Sequence, residues 1–453
     1  MSDLIVVERH SSSRSHWGSG STKEFSITKS GRIRPGHHHQ DSSLRRFLIE
    51  AFLPQGYPES VSSDYLEYQV WDTIQAFCSS LNGSFATRAV LKGAGVGDES
   101  ATALAATVSW LLRDGTGMVS RIVFAWWKGQ DLDFNNKQWR LFADVACDIA
   151  TALNMSSALF GDTFYTPILC LSSATLALVS VAGGATRVAV QQHQALRGNM
   201  ADVSAKDGSQ ESVVNLSALF ASLLILPLVE GSLFLTWVMF LVFTAIHLYA
   251  NFRAVSCLKY SYFNRVRAEV CWRSLFEGPS LRRMPSVAEA NAAENVLPHP
   301  LFLIGWRPLP RIWIGRSVSA VPGNVDRGAL DCLDRLFEKK LYVVYPSCRE
   351  ASYVFLREVE KGTGDVPAVV QLEALFVALS FHARSSQQMR WPKAVEVDWL
   401  LREMKEAMDD VDVKFGTFKA EAEAQGWRIN ESQLGSGEVR LVSVKNAMPT
   451  RIE

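Results

Sequence analysis

The chain has no surplus of either charge, with 46 lysines and arginines against 46 aspartates and glutamates in 453 residues. Without a basic face or stripe, nucleic acid is not an expected partner. Its seven cysteines (Cys78, Cys147, Cys170, Cys257, Cys271, Cys332 and Cys348) are odd in number and never form a C-x-x-C pair. That spacing gives neither a disulfide framework nor a thiolate zinc site, and free thiols in a reducing compartment are expected. The early sequence has no h-region, because its longest apolar run is residues 4–7; insertion into a membrane would rely on an internal segment. No Ser-His-Asp or Cys-His arrangement stands out, so an enzyme is not expected. Lys206 is disfavoured as a Schiff-base nucleophile, since Asp202 and Asp207 favour the charged amine.

What the chain does have is apolar length. Residues 213–229 and 233–250 carry no charged side chain over 17 and 18 residues and are joined by Glu230, Gly231 and Ser232. They read as a helical hairpin in a membrane, at the short end of the roughly 17 to 25 residues a span needs; the competing reading is a buried pair of core helices. Residues 164–186 are uncharged over 23 residues. Their small side chains, among them Ser172, Ser173, Ala177 and Gly183, suit close helix packing within a bundle. A mean hydropathy of +0.05 is too polar for a protein that lies wholly in a membrane, and fits an apolar block joined to a soluble one.

Residues 1–44 read as a flexible polar tail, poor in large apolar side chains. Its His37-His38-His39 run lacks metal-ligating partners nearby, and the glycines at 93, 95 and 97 meet neither nucleotide-loop spacing. Tyr65, Tyr68 and Trp71 suit a membrane interface, ahead of a weakly apolar helix over 71–91. Arg113, Asp114 and Arg121 punctuate the next apolar region. They are either intramembrane charges facing a protein interior or part of a loop between two shorter helices. Asp144 and Asp148 share one face of a helix, placed to relay a proton, bind a cation, or answer Arg140. Lysine and arginine placement puts loop 187–212 and the C-terminal half on the cytosolic or equivalent side, making the chain multi-pass with membrane lipid as a partner.

Residues 45–275 thus read as a membrane-associated helical bundle and 276–305 as a proline-marked linker. Residues 306–453 read as a small α+β domain. Strands are predicted near 311–316, 341–345, 353–358, 427–429 and 439–444, with helices near 365–384 and 399–418. Grouped strands predict an antiparallel sheet. The expected fold class is therefore mainly α, a bundle followed by an α+β domain.

Several motifs carry a resemblance. Phe52-Leu53-Pro54-Gln55-Gly56, the segment from Asp64-Tyr65 to Trp71-Asp72, Phe124-Ala125-Trp126-Trp127-Lys128-Gly129, Lys137-Gln138-Trp139-Arg140-Leu141-Phe142-Ala143-Asp144 and Gly183-Gly184-Ala185-Thr186-Arg187 occur in order. Asn199-Met200-Ala201-Asp202-Val203-Ser204-Ala205-Lys206-Asp207 follows, with Ser209-Gln210-Glu211. Together they resemble the root UVB-sensitive (RUS) family over about residues 50–255, more loosely beyond 300. The resemblance implies a membrane-associated protein whose plant relatives are linked to ultraviolet-B sensing, seedling development and vitamin B6 homeostasis. It brings no active-site assignment and no cofactor, although a B6 vitamer is an expected ligand.

The leading expectation is a non-catalytic or transport-like membrane protein. Arg187, Arg197 and Lys206 suit a phosphate, with Asn199, Asp202, Ser204 and Asp207 beside them in the same motif; basic loops on the cytosolic side explain the same charges without a ligand. The alternative is a membrane-anchored scaffold whose C-terminal domain recruits a protein partner or a family paralogue.

Overall fold

Apolar helices with a stripe of buried polar residues between them dominate the first half of the chain. The structure, a computed structural model, describes residues 4–9, 22–27, 33–35, 43–94, 103–276, 283–297, 310–323, 325–348, 350–359, 366–387, 397–435 and 437–442. It divides into two units, one of residues 1–129 and 139–258, the other of 130–138 and 259–453. The His37-His38-His39 run and the glycines beyond residue 94 lie outside the described residues.

The first unit opens with β1 (Leu4–Arg9), β2 (Thr22–Ile27) and β3 (Ile33–Pro35). They form an antiparallel sheet in the order β1-β2-β3, within a stretch whose composition suggests a flexible tail. Leu4–Val7 and the alternation in Lys23-Glu24-Phe25-Ser26-Ile27 supply a strand pattern that overall polarity hides. Seven helices follow: α1 (Ser43–Phe52), α2 (Tyr65–Gly93), α3 (Ala103–Lys128), α4 (Asn136–Ser156), α5 (Gly161–Gln194), α6 (Met200–Val229) and α7 (Leu233–Cys257).

Three segments, Thr163–Gln194 in α5, then α6 and α7, are long enough to cross a membrane and each holds an 18-residue stretch apolar enough to do so. At about 1.5 Å per residue each exceeds the roughly 30 Å of a hydrocarbon core. Arg113, Asp114 and Arg121 fall inside the continuous α3, which overturns the loop alternative for 113–115; Gly115 and Gly117 weaken this helix without ending it, because α3 packs along α5. At Gly117 a Cβ atom would stand 2.5 Å from the Ser173 hydroxyl oxygen, so glycine permits the close approach. The region 187–212 is not one loop either: only residues 195–199 separate α5 from α6. Its alanines, Lys206, Gln210 and Glu211 are good helix formers, and Asp202 in the first turn suits the helix dipole.

The second unit is built in the opposite sense, with polar groups outside and aromatics inside. After β4 (Phe263–Asn264) come α8 (Arg265–Phe276), α9 (Val287–Ala292), β5 (Arg311–Ile314), α10 (Arg327–Leu336), β6 (Tyr342–Cys348), β7 (Ala351–Arg357), α11 (Ala368–Gln387), α12 (Val397–Ala424), β8 (Ser432–Gln433) and β9 (Arg440–Leu441). The sheet is mixed, which corrects the antiparallel expectation. β6 and β7 form an antiparallel hairpin, whereas β5 and β9 both run parallel to β7, and β4 pairs with β8 in parallel. Five consecutive residues are buried on each of β6 and β7, so both faces are covered and the strands lack the alternation that marks a one-sided antiparallel sheet.

β5 and β9 occupy successive stretches of one edge of β7, Ala351 to Val354 and then Leu356 to Arg357. The handover turns on Gly315, whose φ is +67°. Gly437 N–H donates to the Ile314 carbonyl at 2.8 Å and Val439 N–H to the Gly315 carbonyl at 3.2 Å. A buried ion-pair cluster supports the other side of this unit. Glu294 accepts from Arg267 at 2.8 Å and lies 3.2 Å from Lys137, with side-chain exposures of 6%, 2% and 1%. Asn264 donates its amide to the same carboxylate.

Two outcomes are expected from these contacts. Gly315→Ala should cost about 1 to 3 kcal/mol in a denaturant or thermal melt, because the positive φ strains any other residue and its Cβ would sit 2.3 Å from the Gly437 carbonyl oxygen. Burial pushes the Glu294 carboxyl up, but the Arg267 and Lys137 charges outweigh it and hold the group below its ordinary range. Its contribution is therefore present above the ordinary glutamate pKa and lost as pH falls through the lower folded value. The melting temperature of the second unit should drop steeply below about pH 4.5, and Glu294→Gln should flatten that drop while destabilising the protein at neutral pH by about 3 to 5 kcal/mol.

Candidate functional site

In α2, Tyr68, Asp72, Gln75, Ser79 and Asn82 recur at alternating spacings of four and three residues, so they form one stripe along the helix. Tyr68, Gln75 and Asn82 are buried, while Leu66, Val70 and Ile74 of the same helix are exposed. α4 contributes Arg140, Asp144 and Asp148 at four-residue intervals, and α7 contributes Thr244 and His247.

These residues meet in a continuous polar seam. Arg140 donates to the Asp72 carboxylate at 3.0 Å, and the Gln75 amide nitrogen donates to the same Asp72 oxygen at 3.1 Å. The Gln75 carbonyl oxygen lies 3.1 Å from His247 Nε2, and His247 Nδ1 lies 2.8 Å from Asp148 Oδ2. Asp144 Oδ1 stands 3.9 Å from His247 Nε2. Further along the seam Asn82 donates to the Thr244 hydroxyl at 3.0 Å. His247 is fully buried.

Above this seam lies a cavity of about 60 Å³, lined by Tyr68, Asp72 and Gln75 of α2, Arg140 of α4, Arg187, Gln191 and Gln194 of α5, and Asp207 and Glu211 of α6. Arg187 closes one side by pairing at 2.6 Å with both Asp207 and Glu211, and Gln191 donates to Asp207 at 2.8 Å. Gln194 is 1% exposed and its amide nitrogen has no hydrogen-bond partner. The volume suits a few water molecules, well short of the roughly 300 Å³ at which small-molecule pockets begin. Among the described residues no group of three or more His, Cys, Asp or Glu side chains is arranged to hold a metal.

The residues singled out in the sequence separate into three places. Arg187 and Asp207 line the cavity, and Asp144 and Asp148 reach the seam beneath it. Asp202 accepts from the Gln55 backbone N–H at 2.6 Å, and Lys206 donates to the Glu50 carbonyl, so both staple α6 to the entry segment. Ser204 is half-buried on the same helix. Arg197 is exposed at the turn between α5 and α6, where its backbone N–H donates to Asn199 Oδ1 at 3.1 Å. On α3, Asp114 and Arg121 are exposed, and the Arg113 guanidinium lies 5.6 Å from the centre of the Trp110 ring; none of the three lines the cavity.

Sequence reasoning did not single out Gln75, Gln191, Gln194 or His247; it read Tyr68 as a membrane-interface aromatic and met Asp72 and Glu211 only within the family motifs, without a role at a site. A signal existed for two of these places: the four-three polar spacing on α2, and one histidine within an otherwise uncharged apolar run.

The comparisons with known proteins agree with the motif order. Residues 38–278 match the family model described as a vitamin B6 photo-protection and homoeostasis domain. The chain is 46% identical over 260 residues to RUS family member 1 of Dictyostelium discoideum, covering 57% of this chain and 49% of that protein. It thus spans about half the length of that relative. It is 36% identical to protein root UVB sensitive 3 of Arabidopsis thaliana over 67% of this chain and 70% of that one. It is 26% identical to protein root UVB sensitive 6 of the same plant over 88% and 78%. No solved structure matches. With more than half its length in the family model and these relatives alongside, the chain belongs to the root UVB-sensitive family.

Proposed function

We propose that this chain is an integral membrane protein that acts without covalent catalysis, in a transport-like role, in the vitamin B6 homeostasis and ultraviolet-B response to which its family is linked. The observation that carries the reading is the inverted polarity of the first unit. Gln75, Asn82, Gln191, Asp148, Asp207 and His247 are buried, while Leu224, Leu228, Phe234, Ile122 and Trp126 are each at least 70% exposed; Asp114 and Arg121 on α3 are charges that do lie at the surface. A soluble surface rarely presents so much contiguous apolar area. Helices in lipid do, and they place ionisable side chains toward the protein interior or an aqueous path. The second unit, whose large aromatics are buried, has the polarity of a soluble domain.

If α5, α6 and α7 cross the bilayer, the 195–199 turn and the chain beyond residue 257 share one side, and residues 230–232 lie on the other. Arg187 is already neutralised by two carboxylates, so a phosphate would have to displace Asp207 or Glu211 to reach it. That geometry favours a neutral or cationic solute, such as an unphosphorylated vitamer, over a phosphorylated one. Its passage needs the helices around the cavity to part, since the cavity in this conformation holds only water-sized groups.

Three measurements test this. After carbonate washing the expressed protein should remain in the membrane pellet; recovery in the supernatant sinks the reading. Phe220, 60% exposed on α6, distinguishes lipid from water. Phe220→Arg should cost about 2.5 to 3.5 kcal/mol of insertion if it faces hydrocarbon, against about 0.5 kcal/mol or less at an ordinary surface position. Proteoliposomes should take up labelled pyridoxine saturably, and Gln194→Leu should slow uptake about tenfold, the equivalent of one lost hydrogen bond. Uptake no faster than in empty vesicles removes the transport role.

A further inference from the structure

The hydrogen bonds around His247 fix how many protons it holds. Gln75 spans two acceptors, and only one orientation of its amide satisfies both contacts. Its nitrogen must face the Asp72 carboxylate, 3.1 Å away, because its oxygen there would meet another oxygen lone pair. Its carbonyl oxygen therefore faces His247 Nε2 at 3.1 Å, and Nε2 must carry a hydrogen to bond it. At the other nitrogen, Nδ1 lies 2.8 Å from Asp148 Oδ2, and a proton must lie between those two atoms as well. Whether that proton sits on the ring or on the carboxyl, the His247–Asp148 pair holds one proton more than a neutral imidazole beside a carboxylate.

We propose that the His247–Asp148 pair is a proton-binding site whose occupancy sets the orientation of the Gln75 amide, and through it the Asp72–Arg140 ion pair at the cavity. Loss of the proton leaves one ring nitrogen bare. A bare Nδ1 would face the Asp148 carboxylate, so Nε2 is the nitrogen that gives up its hydrogen. Nε2 then needs a donor, and Gln75 supplies one by turning its amide over. That turn points the Gln75 oxygen at Asp72, which loses a donor and gains a repulsion. Asp72 and Arg140 line the cavity, so proton release at a fully buried histidine changes the charged lining of the candidate solute path. The proton is thereby named as the coupling ion, a role that rests on the transport-like reading; the proton site itself rests on geometry alone.

The charged and titratable groups around His247 come from every element packed against it. α2 supplies Asp72 and Cys78, and α4 supplies Arg140, Asp144, Cys147 and Asp148. At the cavity α5 adds Arg187 and α6 adds Asp207 and Glu211. The carboxylates outnumber the guanidiniums, which favours keeping the extra proton.

Ring-nitrogen NMR on the full chain, labelled with [15N]histidine and [15N]arginine and held in lipid nanodiscs, tests this. His247 is assigned by the signals lost in His247→Gln. Its Nε2 should carry a hydrogen at pH 7.5, with Nδ1 either protonated or accepting from the Asp148 carboxyl, and the Arg140 Nε signal should shift with the same midpoint when Nε2 loses that hydrogen at higher pH. Gln75→Leu removes the acceptor at Nε2 without changing charge, and should lower the His247 midpoint by at least about one pH unit. A His247 whose Nε2 carries no hydrogen at pH 7.5, or an Arg140 signal that ignores the His247 titration, overturns the proposal. If His247→Gln does not fold, the signal displaced in Gln75→Leu makes the assignment. Absence of pyridoxine uptake with an intact ring titration removes the transport reading alone. Uptake with a His247 that carries no hydrogen on Nε2 removes the proton site alone.

Discussion

The Gln75 amide is the contact on which the first unit's interior depends. It hydrogen-bonds to both the Asp72–Arg140 pair and the His247–Asp148 pair, joining them into a single network that Asp144 also flanks, 4.0 Å from Arg140 and 3.9 Å from His247. Charges among apolar helices are tolerated only when each finds a partner. Here the partners come from three helices, α2, α4 and α7, so the network fixes their rotation about their own axes as firmly as apolar packing does. Phe85, Ala86, Met155, Val229 and Phe240 then fill the space beyond the polar seam.

The second unit solves the same problem by burial in a conventional core. Lys137, Arg267 and Glu294 form a compact charged cluster whose hydrogen bonds include Asn264 and Asn291, with Tyr260 and Tyr262 against its cations, while in the aromatic core Phe263 stacks on Trp427 and Phe376 meets Phe418 edge-on. A buried ion cluster of this kind contributes little net stability over an apolar replacement, but removing one partner is costly. The two units therefore both depend on buried charge, one to orient helices and the other to join distant segments of the chain.

How much of this was legible in the sequence depended on what each residue signalled locally. The long uncharged runs gave α5, α6 and α7, and the three-and-four spacing from Trp399 to Phe418 gave α12 with its stop at Gly426, which has a positive φ. The mixed sheet was hidden because Tyr353 to Leu356 are buried on both faces and show no alternation. Asp144 and Asp148 were visible as a pair, with Arg140 as a partner that does stand beside Asp144; His247 was not, since it lies 99 residues from Asp148. Arg187 read as an anion contact because sequence shows the cation and not the two carboxylates that the turn between α5 and α6 brings against it. Local charge reads as availability, and only the fold shows that it is spent.

The shared edge of β7 has a consequence for how the chain is made. β5 occupies the first part of that edge, and among the described residues the rest is paired with β9, which is translated after α11 and α12. Until then the Leu356–Arg357 end of β7 keeps unpaired amides and carbonyls along this edge, the condition in which nascent chains cross-pair and aggregate. A truncation or stalled ribosome upstream of Arg440 would leave this strand open, so quality control of the polypeptide should be most sensitive to its last-synthesised sheet strand, even though the helices that make the protein unusual are completed long before.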